Sequence, residues 1–290
     1  MAEQSVRWLV LGAQGMLGRD LADVLAQAGR EVIAAGRDEV DVADAAAVSA
    51  AVADADVVVN CAAYTDVDGA EADEEAAVAL NATAAGVVAR ACASAGARLV
   101  HISTDYVFDG DADAPYAESH PVAPRSAYGR SKARGERQVL SSGPGALVVR
   151  TAWLYGAHGT CFPRTIARLA MERDRLDVVA DQVGQPTWTR DLATFIVALT
   201  DADAPGGIYH GTASGQCSWF EFARAVIASS GADARVEPTS TVAFPRPAPR
   251  PAWSVLGHAR HEALGVSSIG SWRERWSVAA PEVLGDARSG

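Results

Sequence analysis

Val6-Arg-Trp-Leu-Val-Leu-Gly-Ala-Gln-Gly-Met-Leu-Gly18 decides how the rest of the chain is read. Val6 to Leu11 is a short, mostly apolar run, the pattern of a strand buried on both faces. Gly12, Gly15 and Gly18 follow at once, and Leu17, Leu21, Val24 and Leu25 then recur on one helix face. Strand, glycine turn and helix in that order is the setting a dinucleotide fingerprint requires. Glycines let the backbone approach a pyrophosphate, and the helix N-terminus offers N–H donors and the positive end of its dipole. The spacing is GxxGxxG rather than GxGxxG, so context carries more of the argument than the motif. Gly12, Gln14, Gly15, Met16, Leu17 and Gly18 are the expected cofactor-binding residues.

Glu31 to Ala35 reads as the second strand. No carboxylate stands where the acid that holds an adenosine 2′-hydroxyl would sit, and Arg37 lies just beyond. An arginine suits a 2′-phosphate, which favours NADPH and leaves NADH open. If the strand ends two residues later, Asp38 takes the acid's place and Arg37 is a solvated loop residue. Asp41-Val42-Ala43-Asp44 starts the next helix, and this stretch, with Asp41 and Val42 foremost for the cofactor, either meets the adenine or caps that helix. Asp56 to Asn60 is a third strand. The small residues after it, Cys61, Ala62 and Ala63 before Tyr64, allow a ligand to lie close.

A long helix is expected from Asp73 to Ala95, with Asn81 awkward inside it. That Asn either faces solvent, or stabilises a kink and serves a proton relay beside the cofactor. Arg98 to Ile102 is a fourth strand, running into Ser103-Thr104-Asp105-Tyr106. Hydroxyls and a carboxylate at a strand's carboxyl end lie where open α/β sheets bind ligands. Residues 111–125 form a long loop, either functional or disordered. Ala146 to Arg150 is the fifth strand. Strands alternating with helices predict an α/β fold with a Rossmann-like, doubly wound parallel sheet.

Past Thr151 the pattern loosens. Helices are expected at Thr160–Arg173, Arg190–Leu199 and Trp219–Ser229, the last capped by Ser218, with a short strand at Ile208–Gly211. We expect residues 1–150 to form an NAD(P)-binding domain, completed by parts of 189–212, and 151–290 mainly a smaller α/β substrate domain. Phe244 to Pro251 has proline at every second position and can be neither helix nor central strand. Arg246 within it reads as solvated and Arg250 as facing a ligand. Trp188, Trp219, Trp253 and Trp272 read mostly as core.

With 290 residues, 49% hydrophobic and 21% charged, the chain can build a full core. A formal net charge of -11 argues against general nucleic-acid or membrane-surface binding. Cys61, Cys92, Cys161 and Cys217 are far apart and read as buried thiols. His258 and His261 have no neighbours to complete a shell, so no metal is expected. No leader pattern and no apolar run near the roughly 20 residues of a membrane span are read, so a soluble cytoplasmic protein is expected.

The chemistry centres on Ser126-Ala-Tyr-Gly-Arg-Ser-Lys132. Tyr128 and Lys132 are four apart and share a helix face. A nearby ammonium is expected to lower the phenol from its usual value of about 10, making it a proton donor or acceptor near neutrality. A surface helix carrying Tyr and Lys by chance has the same local sequence. The glycine turn and Ser103-Thr104-Asp105 upstream argue against that.

Together these motifs resemble the extended short-chain dehydrogenase/reductases. More closely, the chain resembles the dTDP-4-dehydrorhamnose reductase family. The resemblance rests on Asn60-Cys-Ala-Ala-Tyr-Thr65, Ser103-Thr-Asp-Tyr-Val-Phe-Asp-Gly110, Tyr128-Gly-Arg-Ser-Lys132, Arg150-Thr-Ala-Trp-Leu-Tyr-Gly156, Asp181-Gln-Val-Gly-Gln-Pro-Thr187 and Arg250-Pro-Ala-Trp-Ser-Val-Leu256. It implies NADPH-dependent reduction of the C4 ketone of a dTDP-4-keto-6-deoxy sugar, for instance to dTDP-L-rhamnose. By position, Tyr128 would donate the proton, Lys132 would hold the nicotinamide ribose and depress Tyr128, and Thr104 would bond the carbonyl oxygen. Asp105, Tyr106 and Trp153 would shape the sugar site, and Arg250 would meet the nucleotide. Members that use a metal at a dimer contact do so through glutamates with no counterpart placed here, and a homodimer stays open. The rivals are a sibling 4-epimerase or 4,6-dehydratase, and a regulatory subunit of a methionine adenosyltransferase type. Dehydratases carry an acid pair after the threonine, whereas here Asp105 is followed by Tyr106.

Overall fold

Arg7–Leu11 forms strand β1 and sends Trp8 and Val10 to one face and Leu9 and Leu11 to the other, all buried. Both faces are covered, which is why the run is nearly all apolar. This is a computed structural model describing residues 6–285. The leader reading at residues 1–5 and the outermost domain bounds lie outside those described.

β1 pairs in parallel with β2 (Glu31–Ala35) and β3 (Val57–Asn60). β4 (Arg98–Thr104), β5 (Leu147–Thr151) and β6 (Gly207–His210) extend the sheet in the order β6-β5-β4-β3-β1-β2. The strand order reverses at β1. That reversal opens a crevice over the carboxyl ends of β1 and β3, where such sheets take their ligands.

One face is covered by α1 (Met16–Gln27) and, from far along the chain, Thr189–Asp201, through Leu17, Leu21, Leu192 and Phe195. The other carries α2 (Ala45–Val52), the run Glu74–Ala95 and the helix Ala127–Ser141, packing Val48, Val88 and Val139. Within the stretch Asp41–Asp44 the cap of α2 is Asp44, which accepts from the N–H groups of Ala46 and Ala47.

Glu74–Ala95 is 22 residues, long and apolar enough by composition to span a bilayer. This corrects the expectation that no run comes close to that length. Half of its most apolar 18-residue stretch is buried in the protein, packed against the sheet and its neighbouring helices. It is not a continuous α-helix either: Ala79–Ala84 is a π-helical turn around Asn81. At that turn a Cβ on Gly135 would collide with the Asn81 carbonyl oxygen, so glycine permits the close approach of the Ala127–Ser141 helix.

A second apolar cluster gathers the helices Phe162–Glu172, Trp219–Ser230 and Trp272–Leu284 around Phe222, Val226, Trp272 and Trp276. Beside it Arg175–Val179 and Arg235–Thr239 form a parallel pair. Ser218 caps its helix in a full capping box with Glu221. Loop 111–125 docks through Tyr116, which is buried and stacked on Phe108 at 4.2 Å between ring centroids. Trp188 and Trp272 are core, while Trp219 and Trp253 are partly exposed.

Candidate active site

Every sheet strand but β6 delivers its carboxyl end to one cavity of about 1240 Å³. Gly12, after β1, adopts φ +72°, and a Cβ there would meet the Ala62 nitrogen at 2.7 Å. Glycine alone lets the β1 turn pass this close to the segment after β3. Gln14, Gly15, Met16, Leu17 and Gly18 line the same wall, as do Arg37, Asp41 and Val42 beyond β2. Cys61, Ala62, Ala63 and Tyr64 continue it beyond β3. Arg37 is exposed on this wall.

β4 supplies Ser103 and Thr104, followed by Asp105 and Tyr106, and the Ala127–Ser141 helix supplies Tyr128 and Lys132. Ser126 caps that helix, accepting from the Gly129 N–H at 3.1 Å. The rings of Tyr106 and Tyr128 meet edge to face, 5.5 Å between centroids. Trp153 lines the cavity from beyond β5, in a left-handed conformation at φ 49°, stacked 3.5 Å from Trp219.

The electrostatics differ from the expectation in one respect. Tyr128 is raised, not lowered: burial dominates and the Asp105 carboxylate adds to it, with Thr104 only partly opposing. The Lys132 ammonium is turned to the Ile102 carbonyl, to which it donates at 2.6 Å. Spacing on the helix places the two side chains on one face, but burial sets the phenol's proton affinity. Burial also brings Lys132 down to about 8, against the pull of Glu136 and Cys61. It pushes Asp105 up to about 6, opposed by the nearby Ser254 hydroxyl and by the hydrogen bond from Thr104. Thr104 Oγ1 donates to Asp105 Oδ1 at 2.8 Å.

Two of the expected residues stand outside the cavity lining. Asn81 is buried, which removes the solvent-facing alternative. It accepts from the Tyr64 N–H at 2.8 Å, and donates to the Tyr64 carbonyl at 3.0 Å and to Ser131 Oγ at 2.9 Å. Ser131 in turn donates to the Tyr128 carbonyl at 2.7 Å. Asn81 thus fixes a cavity wall to the Ala127–Ser141 helix. Arg250 lies 3.0 Å from Asp68, which also takes the Nε and Nη2 of Arg246 at 3.0 and 2.6 Å. Burial would raise Asp68, but the Ala248 N–H and the two guanidinium groups overcome it and hold the carboxyl below its usual value. Arg246 is therefore an anchor of the proline-rich loop, not a merely solvated residue.

The sequence reading missed Leu80, His158, Gly159 and Thr160 on the cavity wall, and Glu136 behind Lys132. No local motif marks the first four. Glu136, four residues past Lys132 on the same helix face, was visible as a spacing. Among the described residues no group of three or more His, Cys, Asp or Glu side chains is placed to hold a metal.

Residues 6–283 match the model of the RmlD substrate binding domain. The dTDP-4-dehydrorhamnose reductase of Streptomyces griseus is 47% identical over 289 residues, 97% of this chain and 95% of the relative. The dTDP-4-keto-6-deoxy-D-glucose reductase of Streptomyces niveus is 44% identical over 284 residues, 97% and 98% of the two chains. The crystal structure of the Bacillus anthracis dTDP-4-dehydrorhamnose reductase in complex with NADP superposes with a TM-score of 0.92 at 37% identity, covering 95% of this chain and 99% of that one. Matched along almost its whole length in sequence and in fold, the chain belongs to the RmlD substrate-binding domain family.

Proposed function

We propose that the chain is an NADPH-dependent reductase acting on the C4 ketone of a dTDP-4-keto-6-deoxyhexose, dTDP-4-dehydrorhamnose first among them. The observation that carries this reading is the convergence of Tyr128, Lys132, Thr104 and the glycine turn on one cavity. Its wall is lined by Gly12, Gly15 and Gly18, whose bare backbone suits the close approach of a dinucleotide's pyrophosphate. Gly12, Gly15 and Gly18 would hold the pyrophosphate, Arg37 the 2′-phosphate and Lys132 the nicotinamide ribose. When bound, the reduced nicotinamide supplies the hydride.

The chain's own residues supply the rest. Tyr128, held protonated by burial, donates its phenolic proton to the ketone oxygen, so that a carbonyl becomes a secondary alcohol. Lys132, charged below about 8, stabilises the tyrosinate left behind. Thr104, now bonded to Asp105, turns its hydroxyl to the oxygen as negative charge develops there. Tyr106 occupies the position of a dehydratase's second acid and packs on Tyr128, which favours simple reduction over dehydration.

The test is NADPH oxidation with enzymatically generated dTDP-4-keto-6-deoxy sugars, with NADH run beside it and the C4 configuration of the product read by NMR. Sugar-dependent oxidation is expected. A folded protein that binds NADPH and turns over no keto sugar would instead support the epimerase or regulatory readings. Arg37→Ala is expected to weaken NADPH by about 10–100-fold, the worth of one charge-assisted hydrogen bond, and NADH hardly at all. Equal weakening of both, measured by fluorescence titration, would remove Arg37 from the 2′-phosphate.

A further inference from the structure

The Ala127–Ser141 helix grips two consecutive residues at the end of β4. Lys132 Nζ donates to the Ile102 carbonyl at 2.6 Å, and one turn on, Glu136 Oε1 accepts from the Ser103 hydroxyl at 2.6 Å. Arg150 on β5 then takes both carboxylate oxygens of Glu136, Nε to Oε1 at 2.8 Å and Nη2 to Oε2 at 2.7 Å. Ser103 and Arg150 are register partners on adjacent strands, so one carboxylate is held from both at once. The Arg150 and Glu136 side chains are only 1% and 4% exposed. The Arg150 guanidinium lies 4.9 Å from the Phe108 ring centroid, and its Nη1 reaches the Glu118 carbonyl at 3.5 Å.

A buried ion pair adds little net stability over a well-packed apolar pair, because desolvation offsets the attraction. Its place beside Lys132 gives it another use. We propose that Glu136 is a positioning residue for the reductase, a carboxylate locked by Ser103 and Arg150 whose charge keeps Lys132 in its ammonium form. The purpose rests on the reductase reading; the electrostatic claim does not.

The surroundings of Lys132 agree. From its own helix come Tyr128, raised by burial, and Glu136, whose charge opposes the burial of the ammonium. After β3 stands Cys61, with a thiol pushed up to about 12 by burial. On β4 the buried His101 is held well below its usual value by burial and by Lys132 itself. Asp105, pushed up to about 6 by burial, is ionised where Lys132 titrates, but its charge bears on Tyr128, while the charge that bears on Lys132 is that of Glu136. Arg150, the other cation, has Glu136 between its strand and the lysine's helix. Glu136 is thus the anion locked in place near the ammonium.

Lys132 is also the single lysine in a chain with 25 lysines and arginines together. Protein labelled with 13Cε-lysine therefore gives one side-chain resonance, and its titration reads Lys132 without cofactor or substrate. Wild type is expected to titrate near 8. Glu136→Gln is expected to move the midpoint down by about 1–3 pH units, and Glu136→Asp to keep it near wild type. The basic limb of kcat against pH should move down with the NMR midpoint in Glu136→Gln. An unchanged midpoint, or a rate lowered equally at every pH, would overturn the assignment. Should Glu136→Gln fail to fold, wild type decides: a midpoint below 6 means that no anion holds the ammonium. A wild-type midpoint near 8 with no ketone reduction would count against the reductase reading while leaving the charge assignment standing.

Discussion

Tyr128→Phe is expected to lower turnover of the keto sugar by about 10²–10⁴-fold, the usual contribution of a positioned general acid. The substitution keeps the ring, so the edge-to-face packing on Tyr106 and the helix around it survive. What is lost is the phenolic proton. Burial and the neighbouring Asp105 hold that proton on the oxygen well above neutrality, so wild type carries it throughout the working range. The raised value has a cost, since a phenol that holds its proton tightly is a weak acid. In the proposed mechanism the Lys132 ammonium would ease the transfer by stabilising the anion as it forms. Single-turnover rates with saturating NADPH separate this chemical defect from any change in cofactor binding. Turnover within a few-fold of wild type would move the proton donor elsewhere, to Asp105 or a water.

Arg150→Met is expected to destabilise the fold by about 3–5 kcal/mol, because it strands the Glu136 carboxylate in a buried site with one hydroxyl partner. For a chain of this size that is a melting temperature lower by on the order of 10 °C. Removing both charges, in Arg150→Met with Glu136→Leu, should recover part of the loss, since no buried charge is then left unpaired. Thermal unfolding followed by circular dichroism decides it. A single variant that melts within a degree or two of wild type would mean that water reaches the carboxylate, and that the pair is not sealed. The double variant also separates stability from chemistry. It should be the more stable of the two proteins yet poorly active, because Lys132 has lost its counter-charge.

Much of the fold was legible because it is written in local pattern. Val57-Val-Val-Asn60 and Leu147-Val-Val-Arg-Thr151 are buried along their whole length, and a parallel sheet covered on both faces demands such runs. The Ser218 cap could be read because a cap acts within one helical turn. The cavity wall was equally legible, since in an alternating β/α chain each strand's carboxyl end comes to the same edge of the sheet. Gly12, Cys61, Thr104 and Thr151 meet there although each stands at or just past the end of a different strand.

Asn81 shows where local reading stops. Poor helix propensity flagged it, but its bonds go to Tyr64 and Ser131, 17 and 50 positions away. Asp68 gathers Arg246 from 178 positions away, a pairing that no spacing in either segment announces. The sequence alone thus determined the strand order of chemistry: a glycine turn, a Ser-Thr-Asp strand end and a Tyr–Lys helix, brought to one edge of a parallel sheet. Tertiary structure alone decided their charges. The proton on Tyr128, the lowered Lys132 and the locked Glu136 all follow from burial and from partners on other strands. Periodicity tells which side of a helix a group is on, but its ionisation depends on how much water and which opposite charge the folded chain leaves beside it.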